Sequence, residues 1–311
     1  MKAVLFDSAG TDSIAAVDLD VAQIGEEKLY WILASPEDAD LSQAQPTIAA
    51  IISRIKPEDY GLNIGKGSYS LTVPTCPHAG NKQVEPVSML VGENWLVTLS
   101  NNEVGSFEKF LDNDGGDTLR GRLSGSGLCA ALIEVLLADF RAEISEVDGA
   151  IDQLDDEIFR SRERREPLAM LGVLRRRVAR LRSALADFRT VVHGLARADF
   201  RPEVTDDDAS HFLGLAASFE RVEDQVLRAR ETVVSSFELY ATRVAQDTNR
   251  LLKILTLVTV TTGIVGALAG VFGMNLDFPF SHGQETFKIV AVSLFSLAIG
   301  TILMARLTRL I

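Results

Sequence analysis

The chain has 311 residues, 47% of them hydrophobic, and sets 43 acidic against 31 basic side chains for a net charge of −12. That balance excludes nucleic acid as a partner, because phosphate binding needs clustered Lys and Arg. Cys76 and Cys129, the only cysteines, suggest neither a disulfide framework nor a CxxC site, and their usage fits a reducing cytosol.

The acidity is concentrated at the start: residues 1–127 hold 18 acids and 9 bases, whereas 128–200 and 201–311 carry net charges of only −1 and −2. The opening stretch "MKAVLFDSAGTD" has no apolar core of a secretory signal, so a cytosolic N-terminal region is expected. "VLFDSAGTD" resembles the aspartyl-nucleophile motif of haloacid-dehalogenase-type phosphatases, but Ala9 stands where a second aspartate would serve as acid and base. That chemistry is set aside.

Residues 1–127 read as a cytosolic α/β domain. "KLYWILAS", "YSLTVPT", "EPVSMLVG" and "NWLVTLS" are short apolar runs bounded by Gly, Pro and Asn, which predicts strands. "PTIAAIISRI" and "VGSFEKFLDN" read as short helices. "GLNIGKGS" falls one residue short of P-loop spacing and has Gly67 where Ser or Thr would hold Mg²⁺, so a nucleotide-driven pump is not expected. "CPH", Cys76 to His78, is the one Cys/His pair and a weak zinc motif, while His193 and His211 flank helices without ligand partners. "GRLSGSG" (121–127) marks a break.

After it the period changes. Ile133, Leu137, Phe140, Ile144, Val147, Ile151, Leu154 and Ile158 recur at steps of three and four, a heptad seam. "RSRERREP" interrupts it, with Pro167 suited to the first turn of the next helix. Leu171, Leu174, Val178, Leu181, Leu185, Phe188, Val192 and Leu195 then repeat the spacing, so 128–200 is expected to be a long antiparallel helical hairpin. "TDDDAS" places acids at the N-terminus of a third helix, whose seam is Phe212, Leu215, Phe219, Val222, Val226, Ala229 and Val233, then Tyr240, Val244 and Leu251. No Gly or Pro interrupts it from Leu215 to Thr262, so the stalk helix (205–253) continues unbroken past Lys253.

Beyond Lys253 the chain turns apolar. Ile254 to Phe272 is nineteen residues without a charge and Ile289 to Ala305 is seventeen. At ~1.5 Å per residue these approach the ~30 Å of a bilayer core, the second with help from snorkelling Lys288 and Arg306. Two spans are expected, 254–275 and 288–305, joined by a short loop at 276–287 and trailed by a tail at 306–311. Arg243, Arg250 and Lys253 precede the first span and Arg306 and Arg309 come after the second, while the loop carries no Lys or Arg. The positive-inside rule then keeps both termini cytoplasmic in a multi-pass protein of the cell (inner) membrane.

The first span carries a stripe. From Asn249 the steps of three and four pass Leu252, Thr256, Thr259, Gly263, Gly266, Gly270 and Gly273. Small residues at every turn allow close helix packing, as in small-xxx-small motifs. The same face could instead line a pore, which two spans cannot enclose without further copies of the chain.

"NRLLKILTLVTVTTGIVGALAGVFGMN" ends in Gly273-Met274-Asn275, and with the stalk before it and a second span after it the C-terminal part resembles the CorA-type divalent metal-ion transporters. The resemblance is specific over 128–311; residues 1–120 match only in general character. It implies an α+β cytosolic domain, long coiled-coil-like stalk helices and two C-terminal transmembrane helices, assembled as a homopentamer in the lipid bilayer. It assigns Gly273, Met274 and Asn275 to a selectivity filter and Asn249, Leu252, Leu255, Thr256, Thr259, Gly263, Gly266 and Gly270 to the pore lining. Relatives often carry bulkier residues where this chain has Gly263 and Gly266, a lysine-rich tail where it has "ARLTRLI", and an acidic hairpin tip where it has "RSRERRE".

Mg²⁺ dehydrates reluctantly, and carboxamide oxygens of Asn275 accept hydrogen bonds from its waters without stripping them. Asp277 and Glu285 would raise the local cation concentration outside. Asp206, Asp207 and Asp208 are candidate ligands of a regulatory divalent ion. The expected function is passive movement of hydrated Mg²⁺, with Co²⁺ and Ni²⁺ admitted by similar hydration. Zn²⁺ is the alternative cargo because His282 lies in the loop. No cofactor is expected beyond the transported ion. A membrane-tethered enzyme is a distant reading, since residues 1–120 offer no complete catalytic constellation.

Overall fold

The computed structural model describes residues 2–7, 10–14, 29–35, 60–65, 67–78, 84–114, 124–160, 165–197, 200, 206–274 and 284–307. Seven strands form one mixed sheet: β1 (Lys2–Asp7), β2 (Gly10–Ile14), β3 (Leu29–Ala34), β4 (Gly61–Ile64), β5 (Tyr69–Pro74), β6 (Pro86–Val91) and β7 (Trp95–Ser100). Their order is β2-β1-β3-β7-β6-β5-β4, and β3 with β7 is the single parallel pair, in register at Trp31↔Leu96. The four strands expected from apolar runs are β3, β5, β6 and β7.

Three strands, β1, β2 and β4, were not expected, and together they explain the two discarded motifs. "VLFDSAGTD" is an antiparallel hairpin pairing Val4 with Ser13 and Phe6 with Thr11, not the strand-to-helix turn of a phosphatase. "GLNIGKGS" closes the β4–β5 hairpin, where the Gly65 N–H donates to Ser68 O at 2.8 Å and Gly67 has φ 70°, a left-handed conformation suited to glycine. A P-loop feeds a helix; this turn feeds a strand. The expected helix over "PTIAAIISRI" lies outside the described residues.

Helix α1 (Gly105–Asp114) covers Trp31, whose ring meets Phe107 edge-on at 5.7 Å while its indole N–H donates to Thr98 Oγ1 at 3.1 Å. Helix α2 (Gly125–Arg160) starts on the β6–β7 turn. Its Gly125 N–H donates to Glu93 O at 2.7 Å, and a Cβ there would sit 2.2 Å from Gly92 O, so only glycine permits this approach. Ser124 caps the helix, its hydroxyl accepting from the Gly127 N–H at 2.9 Å.

Helix α3 (Arg165–Leu195) returns along α2, and α4 (Asp206–Phe272) begins the third layer. All sixteen seam positions named for α2 and α3 are at most 3% exposed, and so in α4 are Phe212, Phe219, Val222, Val226, Ala229 and Val233, with Leu215 at 4%. Phe188 joins the layers, edge-on to Phe140 at 6.0 Å and stacked on Phe219 at 6.1 Å. Arg177 on α3 pairs with buried Glu143 of α2 at 2.7 Å, and Ser218 on α4 donates to Glu134 of α2 at 2.8 Å. Arg189 on α3 pairs with Glu223 on α4.

The chain divides into two compact units: residues 1–156 with 168–236, and residues 157–167 with 237–311. In the second unit the expected continuation of the seam changes character. Tyr240 and Val244 are half-buried and Leu251 is exposed. Helix α5 (Gln284–Leu307) completes this unit.

Candidate functional site

The C-terminal third of α4 is apolar without being buried. Its best 18-residue window has a mean hydropathy of 2.0 and no buried residue, the one described helix long and apolar enough to cross a membrane. Helix α5 is 24 residues long, and its described apolar run is Ala291–Thr301. Val258, Val260, Ile264 and Leu268 on α4 and Val292, Phe295 and Leu303 on α5 are all exposed. In water so much bare apolar surface would be untenable; in hydrocarbon it costs nothing.

The sequence-derived stripe occupies one face of α4. Asn249, Leu252, Leu255, Thr256, Thr259, Gly263, Gly266, Gly270 and Gly273 are all exposed. A Cβ built on Gly263, Gly266 or Gly270 meets nothing within 4 Å. The hydroxyls on this face are satisfied locally, Thr256 donating to Leu252 O and Thr259 to Leu255 O, each at 2.8 Å. The stripe therefore presents a smooth surface of backbone and methyl groups with no free ionisable group.

The opposite face is the one that meets α5. Ile254, Leu257, Thr261 and Val265 are half-covered on α4, as are Leu294, Ala298 and Thr301 on α5. At ~100° per residue this covered face lies about 175° round the helix from the centre of the stripe. Between the two, Thr261 Oγ1 donates to Thr301 Oγ1 at 3.3 Å, and Thr301 donates in turn to Ala298 O at 2.8 Å. This pair was not singled out from the sequence. The signal available was weak, because Thr261 is one of four hydroxyls on the first span (with Thr256, Thr259 and Thr262) and Thr301 one of three on the second (with Ser293 and Ser296).

At the far end α4 closes with the Gly273 N–H donating to Ala269 O at 2.9 Å and the Met274 N–H to Val271 O at 3.3 Å. Gly273 and Met274 are exposed, Met274 by 59%. Asn275, Asp277 and His282 lie outside the described residues, and Glu285 sits in the first turn of α5 with its side chain outside them.

The three aspartates opening α4 divide similarly. The Asp206 and Asp207 side chains are outside the described set, whereas Asp208 is 5% exposed and its carboxylate accepts from Ser124 Oγ. That bond ties the start of α4 to the cap of α2. In the "CPH" segment, His78 Nδ1 is 3.5 Å from Glu143, whose other oxygen is held by Arg177. Cys76 is buried, and burial together with the charges of Glu143 and Asp139 pushes its thiol far above the usual range. Burial likewise raises Cys129 to about 12. Neither thiol supplies a thiolate near neutral pH. Among the described residues no group of three or more His, Cys, Asp or Glu side chains is placed to hold a metal ion.

Known proteins resemble this chain in sequence and in fold. A cobalt/magnesium transport protein CorA from Thermotoga maritima is 26% identical over 151 residues, covering 49% of this chain and 42% of that protein. Its counterpart from Methanocaldococcus jannaschii is 21% identical over 296 residues, covering 89% of this chain and 90% of that one. The complete structure of the M. jannaschii CorA magnesium transporter superposes with a TM-score of 0.77 over 98% of each chain at 16% identity, which establishes the fold. Residues 66–309 match the profile of the CorA-like Mg²⁺ transporter protein family, so the match begins within the sheet, ahead of the helical part that carries the sequence resemblance. The chain belongs to that family, whose members transport divalent cations and are not enzymes.

Proposed function

We propose that this chain assembles as a homopentamer in which the stripe of α4 lines a passive channel for hydrated Mg²⁺. The observation that carries the reading is the uncovered small-residue face from Thr256 to Gly270, with open space at each of its glycines and α5 held on the other side. A stripe that served packing within one chain would face α5. It does not.

The lining handles an ion through its water shell. From Asn249 to Asn275 it offers Leu, Thr, Gly, one Met and two amides, and no carboxylate, imidazole or thiol. Mg²⁺ retains water readily, whereas Zn²⁺ seeks nitrogen or sulfur ligands. In this reading Asn249, Leu252 and Leu255 form the cytoplasmic constriction, and Gly273, Met274 and Asn275 form the outer filter. Asp277 and Glu285 concentrate cations before it. Two charges falling through ~100 mV release about 4.6 kcal/mol, so transport needs no nucleotide. Both termini face the cytoplasm, as the basic flanks require. Asp206 and Asp207 remain the candidates for a regulatory ion, while Asp208 is engaged by Ser124.

A second reading rests on His282. A ring of imidazoles in the outer loop would recruit Zn²⁺ through a chemistry the stripe lacks. Uptake of Mg²⁺, Co²⁺, Ni²⁺ and Zn²⁺ into proteoliposomes, measured side by side, separates the two. The Mg²⁺ channel predicts that substitution-inert hexaammine cobalt competes with uptake. Zn²⁺ flux exceeding Mg²⁺ flux, insensitive to the complex and lost in His282→Ala, replaces it with the zinc reading.

A further inference from the structure

Two kinds of hydroxyl contact occur among the threonines of α4. Thr248, Thr256 and Thr259 each donate to the carbonyl four residues back, at 2.8 Å. Thr261 instead sends its proton across to Thr301 on α5, and Thr301 passes its own to Ala298 O. Backbone-bonded threonines are polar groups made quiet for an apolar setting; Thr261 has been left available for another helix.

The setting gives this bond its significance. Lipid tails are as apolar as Ile254, Leu257, Val265 and Leu294, so those side chains gain nothing from a helix that they would not gain from lipid. Apolar contact alone lets α4 turn about its axis against α5 with little penalty. A directional hydroxyl pair does not, because rotation leaves a donor without an acceptor in hydrocarbon. Small Ala298, one turn from Thr301, leaves room for the approach.

We propose that the Thr261–Thr301 hydrogen bond fixes the rotation of α4, and thereby aims the stripe, about 180° away on the same helix, at the channel axis. Thr261 and Thr301 are positioning residues: neither touches the ion. The inference rests on the reading of the stripe as a pore lining.

The test uses full-length protein in proteoliposomes with Mg²⁺ as the transported probe. Thr261→Val and Thr301→Val keep shape and remove the hydroxyl. Each is expected to reduce flux about threefold, the size typical of one hydrogen bond between spans, and the double variant no more than either alone. Thr261→Ser restores the donor and is expected to restore flux. Aim is read directly by an impermeant thiol reagent. In Thr261→Val, modification of Thr259→Cys on the stripe is expected to slow relative to Ile264→Cys on the lipid side. Unchanged flux and unchanged labelling in both valine variants, while Gly266→Leu blocks conduction, overturns the positioning role and leaves the pore intact. Normal conduction by an assembled Gly266→Leu protein overturns both.

Discussion

Helix α4 uses one spacing for two opposite purposes. Between Phe212 and Val233 the steps of three and four carry bulky residues that are buried to the last few per cent. Between Thr256 and Gly270 the same steps carry only Thr and Gly, and none is covered. The difference stems from the solvent. In water, burial of apolar side chains holds the three-helix unit together, at roughly 25 cal/mol per Å², so seam residues are large. In lipid that drive vanishes, and the residues that specify contacts are small or hydroxylated.

A second feature connects the regions. Carried on in heptad steps from Val233, the seam passes Ser236, Tyr240, Arg243, Asp247, Ile254, Leu257 and Thr261, each of them buried or half-buried; only the step at Arg250 is exposed. Within the second unit, Ile254, Leu257 and Thr261 are on the side of α4 that meets α5. The stripe is what remains, and it is the only described long face of the helix composed almost wholly of small residues. Periodicity alone could not choose between packing and pore because both use small residues at that spacing. Coverage by α5 on the other side shows that the stripe does not pack on α5 within one chain.

The largest effects should come from the proposed pore residues. Asn275→Ala is expected to abolish Mg²⁺ flux while size-exclusion chromatography still returns the assembled protein. Undiminished flux in a correctly inserted variant would remove Asn275 from the filter. Gly266→Leu sharpens the comparison, since a Cβ there meets only open space within one chain. It is expected to block conduction with the oligomer intact, whereas a packing stripe would show instead a dissociated oligomer.

The seam should respond in stability rather than flux. Phe219 is fully buried between Phe188 and His193, so Phe219→Ala removes a core side chain and leaves a cavity. A loss of about 3–5 kcal/mol is expected. Trp31 and Trp95, the only tryptophans, both lie in the sheet of the same unit, so their fluorescence tracks its unfolding. A midpoint unchanged within error would show that this seam is not a cooperative core.

Legibility in the sequence tracks how local the signal is. The helical seams were readable because heptads repeat many times, and every named position of α2 and α3 is buried. Strands β3, β5, β6 and β7 were readable as apolar runs between breakers. β4 is four residues long with Gly61 and Asn63 in it, and β2, "GTDSI", is mostly polar, so neither offers a period to find. In β1 the run "AVLF" is visible, but beside Asp7 it suits a catalytic motif as well as a hairpin. The stripe was legible from spacing; the Thr261–Thr301 bond was not, because it joins residues 40 apart in sequence. Nor could the sequence reveal that Asp208 already serves the cap of α2.

The smallest expected effect concerns a charge on the outer side of the buried seam. Asp148 comes directly after seam residue Val147 on α2 and is itself exposed. Its pKa is raised, first by partial burial and then by Asp152 one turn on, with Arg228 opposing the shift. Like charges four residues apart on a helix repel by a few tenths of a kcal/mol. A carboxyl whose folded pKa exceeds its unfolded value binds its proton more tightly when folded. It therefore destabilises the fold above the raised value, and that penalty fades as pH falls toward the ordinary carboxylate value of about 3.9. Asp148→Asn removes the charge at every pH. Its melting temperature is expected to exceed that of the parent by about 1 °C at pH 7 and to match it more closely in acid. A parent more stable than the variant at pH 7 would mean that attraction to Arg228 outweighs repulsion from Asp152. The outer face of α2 would then hold α4 by charge as well as by the seam.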